Sequence, residues 1–358
     1  QAEEREAIFA LASATGFPIA SEATSQLRFA EAPTGVTIFD ALDPAYRSPR
    51  FRDCADPDLV LHIGKPVVST GWERRMATST ATHVVLADHG WNDPHSKASR
   101  LLFAPPAKSA RAIVSGLASK RAATPTAWQT LIQRANAIAW SAIDADLASH
   151  AETCSEGSIA RAVASSVADG QLLMVGNSLA VRHLDTFCKQ GSSRATVLSQ
   201  RGASGIDGLV ASAAGSASKQ GAPLTLLLGD VSLLHDLTSL RLARSLEVPL
   251  VVVVIQNYGG RIFEHLPIAS AQGIEPEIMH LTTTPHDIDL SHAARLFGAR
   301  WARVTKPHEL VTALEEAHRH PGCTLVEAIV DEHGSAEQSR RIARVIDKEM
   351  ERELARVT

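Results

Sequence analysis

The sequence LTLLLGD at positions 224–230, followed by PLVVVVIQNYGG at positions 249–260, decides the fold of this chain. Each segment is a short, largely apolar run that ends in polar or glycine residues. Runs of this kind indicate parallel strands that are buried on both faces of a sheet. Because the carboxyl ends of parallel strands meet at one edge of a sheet, we expect Asp230 and Asn257 to lie close together.

Similar apolar runs recur on both sides of these two segments, and amphipathic helical segments separate them. The runs cover residues 172–176, 196–199, 224–228, 250–255, 301–304 and 325–330. Strands that alternate with helices indicate a parallel sheet, and right-handed crossovers make such a sheet doubly wound. The pattern therefore predicts a doubly wound α/β domain over residues 151–358, which ends in an amphipathic helix over residues 337–357.

The first third of the chain is predicted to form a smaller α/β domain. It begins with a helix over residues 3–14 and continues with strands over residues 18–20, 59–64 and 82–88. Residues 119–127 are rich in Lys, Arg, Thr and Pro and poor in apolar residues, which is typical of a linker. We therefore predict a Rossmann-like domain over residues 1–125 and a linker helix over residues 126–150.

Composition excludes several classes of function. The 358 residues are 45% apolar and 21% charged, which suits two globular domains. A net charge of −4 with scattered arginines does not fit a nucleic-acid-binding protein. No apolar run approaches the ~20 residues that a membrane-spanning helix needs, so we predict no membrane span. The 4 cysteines are far apart, which favours free thiols and a cytoplasmic location.

Asp230 and Asn257 carry the strongest chemical signal. A Gly-Asp pair after a strand is common in α/β proteins and by itself indicates little. A second strand that ends in Asn257 adds another hard oxygen ligand at the same edge, and the carbonyl group of Gly259 could be a third. Such oxygen atoms suit Mg²⁺ that also holds a diphosphate. The turn at Gly259-Gly260 would point backbone amides toward the phosphates.

Two further polar segments follow neighbouring strands. Residues 201–208, RGASGIDG, precede a helix, and the free amides of a helix start attract anions. Asn177 and Ser178 close the strand at residues 172–176. Arg182 lies one helical turn beyond Ser178, so the two side chains share one face. These segments predict a polar, arginine-containing mouth beside the metal site.

Four motifs together resemble those of the thiamine-diphosphate enzymes, in particular one family of synthases. They are GNSLAVR at 176–182, RGASGIDG at 201–208, GDVSLLHDL at 229–237 and NYGGRIFEHLP at 257–267. The family is the MenD family, the 2-succinyl-5-enolpyruvyl-6-hydroxy-3-cyclohexene-1-carboxylate synthases of menaquinone biosynthesis. The resemblance covers the whole chain, with residues 1–125 similar to the family's central domain and residues from about 150 to 358 similar to its diphosphate-binding domain.

The resemblance implies a transferase that decarboxylates 2-oxoglutarate and adds the resulting succinyl carbanion to isochorismate. Its cofactors would be thiamine diphosphate and Mg²⁺ or Mn²⁺, and the implied metal ligands are Asp230, Asn257 and the carbonyl group of Gly259. Contacts to the cofactor are implied for Ile206, Gly229, Ser232, Gly260 and Ile262. Contacts to the two substrates are implied for Asn177, Ser178, Arg182, Arg201, Ile262, Phe263 and Leu266.

The chain also departs from the family pattern. Gln256 takes the place of an asparagine before Asn257, which leaves the ligand itself in place. The family's catalytic glutamate lies on a pyrimidine-binding domain that precedes the central one, and no segment here matches it. We therefore expect this chain to be the C-terminal portion of a longer synthase, to lack the first strand of the central domain, and to be inactive alone. The intact protein would be a homodimer or homotetramer.

Alternative interpretations stay open at this point. Another thiamine-diphosphate enzyme that acts on 2-oxoacids would also need Asp230 and Asn257, and a complete chain of this length could be a noncatalytic binding module. Ile262, Phe263 and Leu266 could equally be ordinary core residues. The histidines at positions 83, 89 and 95 lack a zinc-binding pattern, so we expect them in loops or at the surface.

Overall fold

The computed structural model describes residues 2–117, 126–271 and 275–354, and within them the chain forms two compact units. The first unit comprises Gln1–Asp144 together with Ile342–Thr358, and the second comprises Ala145–Arg341. Residues 119–125 of the predicted linker and residues 355–357 of the predicted last helix lie outside the described residues. No helix in the described ranges is both long and apolar enough to cross a membrane.

The first unit contains a three-stranded parallel sheet with the strand order β1-β2-β3. Two of its helices, α1 and α5, pack together through small and aliphatic side chains that include Ala7, Leu11 and Ala110. In chain order its elements are α1 (Ala2–Thr15), α2 (Leu42–Arg47), α3 (Pro49–Cys54), β1 (Leu59–Ile63), α4 (Thr70–Thr78), β2 (Thr82–Ala87), β3 (Arg100–Phe103) and α5 (Pro106–Gly116).

Two sequence-based expectations for this unit are wrong. Residues 18–20 do not form a strand of the sheet, because Ile19 makes only an isolated bridge to Ile38. The third strand is β3, which the sequence did not reveal because its side chains are mostly exposed and it begins with an arginine.

The second unit contains a six-stranded, wholly parallel sheet with the order β5-β4-β6-β7-β9-β8. Its strands are β4 (Leu172–Val175), β5 (Thr196–Ser199), β6 (Leu224–Gly229), β7 (Pro249–Gln256), β8 (Arg300–Val304) and β9 (Gly322–Ile329). The central strands β6 and β7 are buried along nearly their whole length. The predicted α/β fold class with parallel sheets is confirmed.

The remaining helices lie along the chain before, between and after these strands. They are α6 (Ala127–Ser149), α7 (Glu156–Ser166), α8 (Leu179–Phe187), α9 (Leu209–Gln220), α10 (Asp230–His235), α11 (Leu240–Arg244), α12 (Pro276–Thr283), α13 (Leu290–Phe297), α14 (Pro307–Ala317) and α15 (Gly334–Leu354). Short 3-10 helices cover Leu237–Ser239, Arg261–His265 and Pro267–Ser270. Strands β5 and β6 lie on opposite sides of β4, so the connection between them crosses over β4. Right-handed crossovers place α8 and α9 on opposite faces, and the reversal opens a crevice between the carboxyl ends of β4 and β6.

Close helix packing beside this crevice depends on one glycine. A Cβ atom at Gly157 would lie 2.6 Å from the ring of Phe187, so a larger residue would force α7 and α8 apart. The absence of a side chain lets the first turn of α7 approach α8, which brings Glu156 within reach of His183.

Candidate functional site

The sheet brings Asp230 and Asn257 to its carboxyl edge, as the sequence predicts. Asp230 follows β6 directly as the first residue of α10 and is 1% exposed. Asn257 follows the neighbouring strand β7 and is 5% exposed. The register pairs Gly229 with Ile255, so the two strands end side by side. A carboxylate and an amide thus share one buried corner of the sheet.

The loop after β7 folds onto the carboxylate of Asp230. Its Oδ2 atom accepts a hydrogen bond from the backbone N–H of Gly259 at 3.1 Å, and Oδ1 accepts one from Val231 at 2.6 Å. Gly259 has φ of +152°, and a Cβ atom there would lie 2.6 Å from the carbonyl oxygen of Thr283. Only glycine fits this position. The turn that it permits brings the backbone of Gly259, including its carbonyl group, to the site.

The side chain of Asn257 is satisfied on one side only. Its Nδ2 atom donates to Oε1 of Glu156 at 2.8 Å, whereas its Oδ1 atom is buried and has no hydrogen-bond partner. An orphaned buried acceptor costs free energy unless a donor or a cation occupies the space in front of it. Together with the neighbouring carboxylate, this amide oxygen fits a hard divalent cation such as Mg²⁺.

The predicted third ligand, the carbonyl group of Gly259, accepts a hydrogen bond from the backbone N–H of Arg261 at 2.9 Å. A carbonyl oxygen has a second lone pair, so this contact leaves ligation open. The described residues contain no group of three or more His, Cys, Asp and Glu side chains that could hold a metal. The predicted ligand set is not a group of this kind, because only one of its three members, Asp230, is such a side chain.

A buried polar network lies behind Asn257. Oε2 of Glu156 is 2.7 Å from Nε2 of His183, which in turn lies 3.2 Å from the hydroxyl group of Ser335. That hydroxyl is 3.0 Å from Nε2 of His265. Burial acts to raise the pKa of Glu156, but the His183 imidazole and the amide of Asn257 outweigh it and hold the pKa below its ordinary value. Glu156 is therefore a carboxylate at neutral pH.

His286 lies close to the carboxylate of Asp230. Its Nε2 atom lies 3.4 Å from Oδ2 of Asp230 and has no hydrogen-bond partner, although it is buried. Its Nδ1 atom accepts a hydrogen bond from the backbone N–H of Ile288, which leaves Nε2 as the donor of the neutral ring. A cavity of about 260 Å³ opens beside this pair, and its lining comprises Val231, Leu234, His235, Thr284 and His286.

A second cluster forms where β4 and β5 end. Oδ1 of Asn177 accepts a hydrogen bond from Nη1 of Arg201 at 2.7 Å. The Nδ2 atom of Asn177 donates to the carbonyl oxygens of Gln200 and Gly205 at 3.1 and 2.6 Å. The amide of Asn177 is thus fully engaged with the loop after β5, and it holds that loop and its arginine in place.

Ser178 and Arg182 belong to the same cluster. Ser178 precedes α8 with φ of +64°, a backbone conformation that is strained for a residue with a side chain. The Nη1 atom of Arg182 donates to the carbonyl oxygen of Ser178 at 2.6 Å. The structure therefore brings together all four residues that were predicted to contact substrate carboxylates.

The remaining predicted residues lie around these two clusters. Ser232 is buried in α10, and Ile206 is half-buried in the bend before α9. Gly229 has open space where a Cβ atom would lie, and the backbone N–H of Gly260 donates to Thr283 at 2.6 Å. Ile262 and Phe263 are half-buried in the 3-10 helix, whereas Leu266 after it is 44% exposed.

Comparison with known proteins gives a consistent answer. Residues 186–328 match a family described as thiamine pyrophosphate enzyme, C-terminal TPP binding domain. A 2-succinyl-5-enolpyruvyl-6-hydroxy-3-cyclohexene-1-carboxylate synthase from Sorangium cellulosum is 43% identical over 95% of this chain. Synthases of the same name from Myxococcus xanthus and Bacillus velezensis are 36% and 31% identical over 94% and 98% of it. The chain thus matches this synthase family over nearly all of its own length.

The similarity covers nearly all of this chain but only part of the other synthases. The chain spans 56% of the length of the synthases from Sorangium cellulosum and Myxococcus xanthus. The thiamine pyrophosphate domain match includes Asp230, Asn257 and Arg201, whereas Asn177, Ser178 and Arg182 precede it. Three of the four residues of the second cluster thus lie outside the domain match.

The sequence did not indicate three residues that the fold places around the predicted metal ligands. They are Glu156, His183 and His286. An acidic residue in the first turn of a helix is ordinarily a solvent-exposed partner of the helix dipole, so Glu156 gave no signal of burial. His286 lies in a loop far along the chain from Asp230, and only the fold brings the two together.

Proposed function

We propose that this chain is the diphosphate- and metal-binding part of an enzyme that decarboxylates 2-oxoglutarate and adds the succinyl carbanion to isochorismate in menaquinone biosynthesis. The similarity of the chain to 2-succinyl-5-enolpyruvyl-6-hydroxy-3-cyclohexene-1-carboxylate synthases supports this reaction. The observation that carries the proposal is the unsatisfied Oδ1 atom of Asn257 beside the carboxylate of Asp230, at the end of a sheet that matches a thiamine-diphosphate-binding domain.

In this proposal Asp230, Asn257 and the carbonyl group of Gly259 hold Mg²⁺, or Mn²⁺ in its place. Mg²⁺ is ordinarily held by one or two carboxylates, waters and phosphate oxygens rather than by a closed protein cage, and this donor set leaves such positions for a diphosphate. Ser232 on α10 and the backbone at Gly229 would contact the diphosphate itself. Gly260 would line this part of the site without donating, because its backbone N–H already donates to the carbonyl oxygen of Thr283.

The substrates would bind above the ends of β4 and β5. Arg182 and Arg201 each present a planar fork of N–H donors, which matches a carboxylate in a way that a lysine does not. Asn177 orients Arg201 through the 2.7 Å hydrogen bond, and Ser178 holds Arg182 through its carbonyl group. Ile262, Phe263 and Leu266 would cover the reacting carbons with apolar surface.

Thiamine diphosphate, when bound, supplies the electron sink that decarboxylation of a 2-oxoacid requires. This chain would hold the cofactor in position for the reaction. Ile206 would support the cofactor from the loop before α9, and half-burial leaves part of its side chain accessible for that contact. We further propose a cytoplasmic homodimer or homotetramer for the natural protein, and the four cysteines, all present as free thiols, suit that compartment.

A product assay tests the proposal. The natural protein that carries this chain is incubated with 2-oxoglutarate, isochorismate, thiamine diphosphate and Mg²⁺, and the succinylated product and CO₂ are measured. We expect product formation that Asp230→Ala removes. Condensation of pyruvate without any use of isochorismate would instead identify a different thiamine-diphosphate enzyme. Failure of calorimetry to detect Mg²⁺-dependent cofactor binding would contradict the metal site.

A further inference from the structure

Glu156 is an unusual residue because it is buried at a helix start. It is the first residue of α7 and is 2% exposed, and Ser155 caps the helix before it. A carboxylate at this end of a helix is stabilised by the helix dipole. Both oxygen atoms have partners, since Oε1 accepts from Asn257 and Oε2 pairs with His183.

A carboxylate can only accept hydrogen bonds, whereas an amide has one face that donates and one that accepts. When Glu156 faces the amide of Asn257, the Nδ2 atom must point to Glu156, and Oδ1 must point the other way. A flipped amide would set two oxygen atoms 2.8 Å apart without a proton between them. The carboxylate therefore decides which atom of Asn257 faces the corner that Asp230 occupies.

We propose that Glu156 is a positioning residue that fixes the amide of Asn257 with its oxygen toward the metal ion. This role rests on the proposed function of Asn257 as a metal ligand. Residues behind the ligands of a metal site typically contribute about 10- to 100-fold to metal affinity, because they orient the ligands that touch the ion.

The network around Glu156 resists rotation of its carboxylate. His183 on α8 contacts Oε2 of Glu156 at 2.7 Å, and the hydroxyl group of Ser335 at the start of α15 contacts the imidazole of His183. His265 reaches the same hydroxyl group from the 3-10 helix that follows the metal loop. The positioning carboxylate is thus held by three other segments of the chain, and it has little freedom to turn away from Asn257.

The test measures the Mn²⁺ affinity of the natural protein that carries this chain by the loss of the free-ion signal in electron paramagnetic resonance, with thiamine diphosphate present. Glu156→Gln should weaken Mn²⁺ binding about 10-fold or more, since a glutamine can donate as well as accept and no longer dictates the orientation of Asn257. Asn257→Asp should also weaken binding, because two carboxylates would then face each other. The matched control is Glu327→Gln, which alters another buried glutamate, one that pairs with Trp301 and Arg303 on β8.

Combining the two changes reverses the polarity of the contact. In the double variant Glu156→Gln with Asn257→Asp, the new amide donates to the new carboxylate, whose other oxygen again faces the ion. We expect the double variant to recover most of the lost affinity, which a merely structural role of Glu156 would not produce. Failure of this recovery would overturn the positioning role.

The outcomes separate this inference from the function on which it rests. A wild-type protein that binds no Mn²⁺ with thiamine diphosphate would overturn the metal site and the positioning role together. Wild-type binding with unchanged affinity in Glu156→Gln would overturn the positioning role alone. If the single variant fails to fold, a crystal structure of the wild-type protein with Mn²⁺ decides, at a resolution that distinguishes the nitrogen and oxygen atoms of amides. An Nδ2 atom of Asn257 that is turned away from Glu156 would contradict the inference.

Discussion

Nη1 of Arg201 donates to Oδ1 of Asn177 across 2.7 Å, and this contact joins the ends of the neighbouring strands β4 and β5. The amide of Asn177 also donates to two carbonyl oxygens of the loop that carries Arg201. The arginine is therefore held by its own loop and by the end of the adjacent strand. The order of this loop depends on one asparagine, and under the proposed function the recognition of substrate depends on it too.

Asn177→Ala should lower both stability and substrate affinity. It removes the two hydrogen bonds to the carbonyl oxygens of Gln200 and Gly205, and each such bond contributes about 0.5–1.5 kcal/mol to the free energy of unfolding. Urea denaturation measures this loss, and the KM for 2-oxoglutarate should rise in the natural protein. Asn92→Ala, which removes one exposed hydrogen bond to His89, is the control, and an equal loss there would contradict the prediction.

Gly259→Ala should damage the metal loop. The glycine has φ of +152°, and a new Cβ atom would meet the carbonyl oxygen of Thr283 at 2.6 Å. Backbone strain of this kind costs about 1–3 kcal/mol. Thermal unfolding and Mn²⁺ titration should both report the loss.

Gly215 in α9 offers a matched control of opposite sign. A Cβ atom there meets open space within a helix, so Gly215→Ala should stabilise the chain by about 0.5–1 kcal/mol. Equal effects of the two substitutions would show that the conformation of Gly259 is not what the site requires.

Removal of the metal should destabilise the chain when cofactor is present. A ligand at about 100 times its Kd stabilises the folded state by about 2.7 kcal/mol. Thiamine diphosphate with Mg²⁺ should therefore raise the Tm, and EDTA should reverse the rise. Asp230→Ala should abolish the shift, whereas Asp169→Ala, at an exposed turn, should retain it. A rise in Tm that survives Asp230→Ala would contradict the assignment of the ligand.

The first unit should lose stability in mild acid. His62 on β1 and His83 on β2 lie with their ring centres 5.7 Å apart, and His83 is 7% exposed, against the expectation of a loop or surface position. Burial lowers the pKa of both imidazoles, and for His83 the neighbouring His62 lowers it further, while Asp93 acts in the opposite direction.

The direction of this pH effect follows from the lowered pKa of the two histidines in the folded state. Above the ordinary histidine value of about 6.5, both states are neutral and the pair has no effect. As the pH falls below that value, the unfolded chain takes up protons that the folded chain refuses, so the free energy of unfolding decreases. Urea midpoints at pH 7.5 and 5.5 measure this, and His83→Leu should reduce the difference. An unchanged difference would contradict the prediction.

The strands of the second unit could be predicted closely because burial on both faces makes each one a continuous apolar run. The predicted run at 196–199 coincides with β5, and that at 224–228 falls one residue short of β6. In the first unit the same reasoning missed β3, whose exposed side chains produce no such run. The apolar pattern is strongest where a strand is buried, although the mostly exposed strand β8 was also predicted, at residues 301–304.

Within the candidate site, the residues at strand ends could be predicted because parallel strands deliver them to one edge. Glu156 and His286 could not, because their neighbours Asn257 and Asp230 are distant in sequence and come close only through helix packing and loop folding. The orientation of the Asn257 amide is likewise a property of the tertiary structure.

The hydrogen bond from the backbone N–H of Gly259 to Asp230 joins the two loops of the site directly. Loops that are joined in this way resist the spreading that a larger cation would require. Ca²⁺ takes six to eight oxygen ligands at long distances, whereas Mg²⁺ takes six at short ones. Discrimination between these two ions would then arise from the stiffness of a backbone turn rather than from the identity of the side chains that touch the ion.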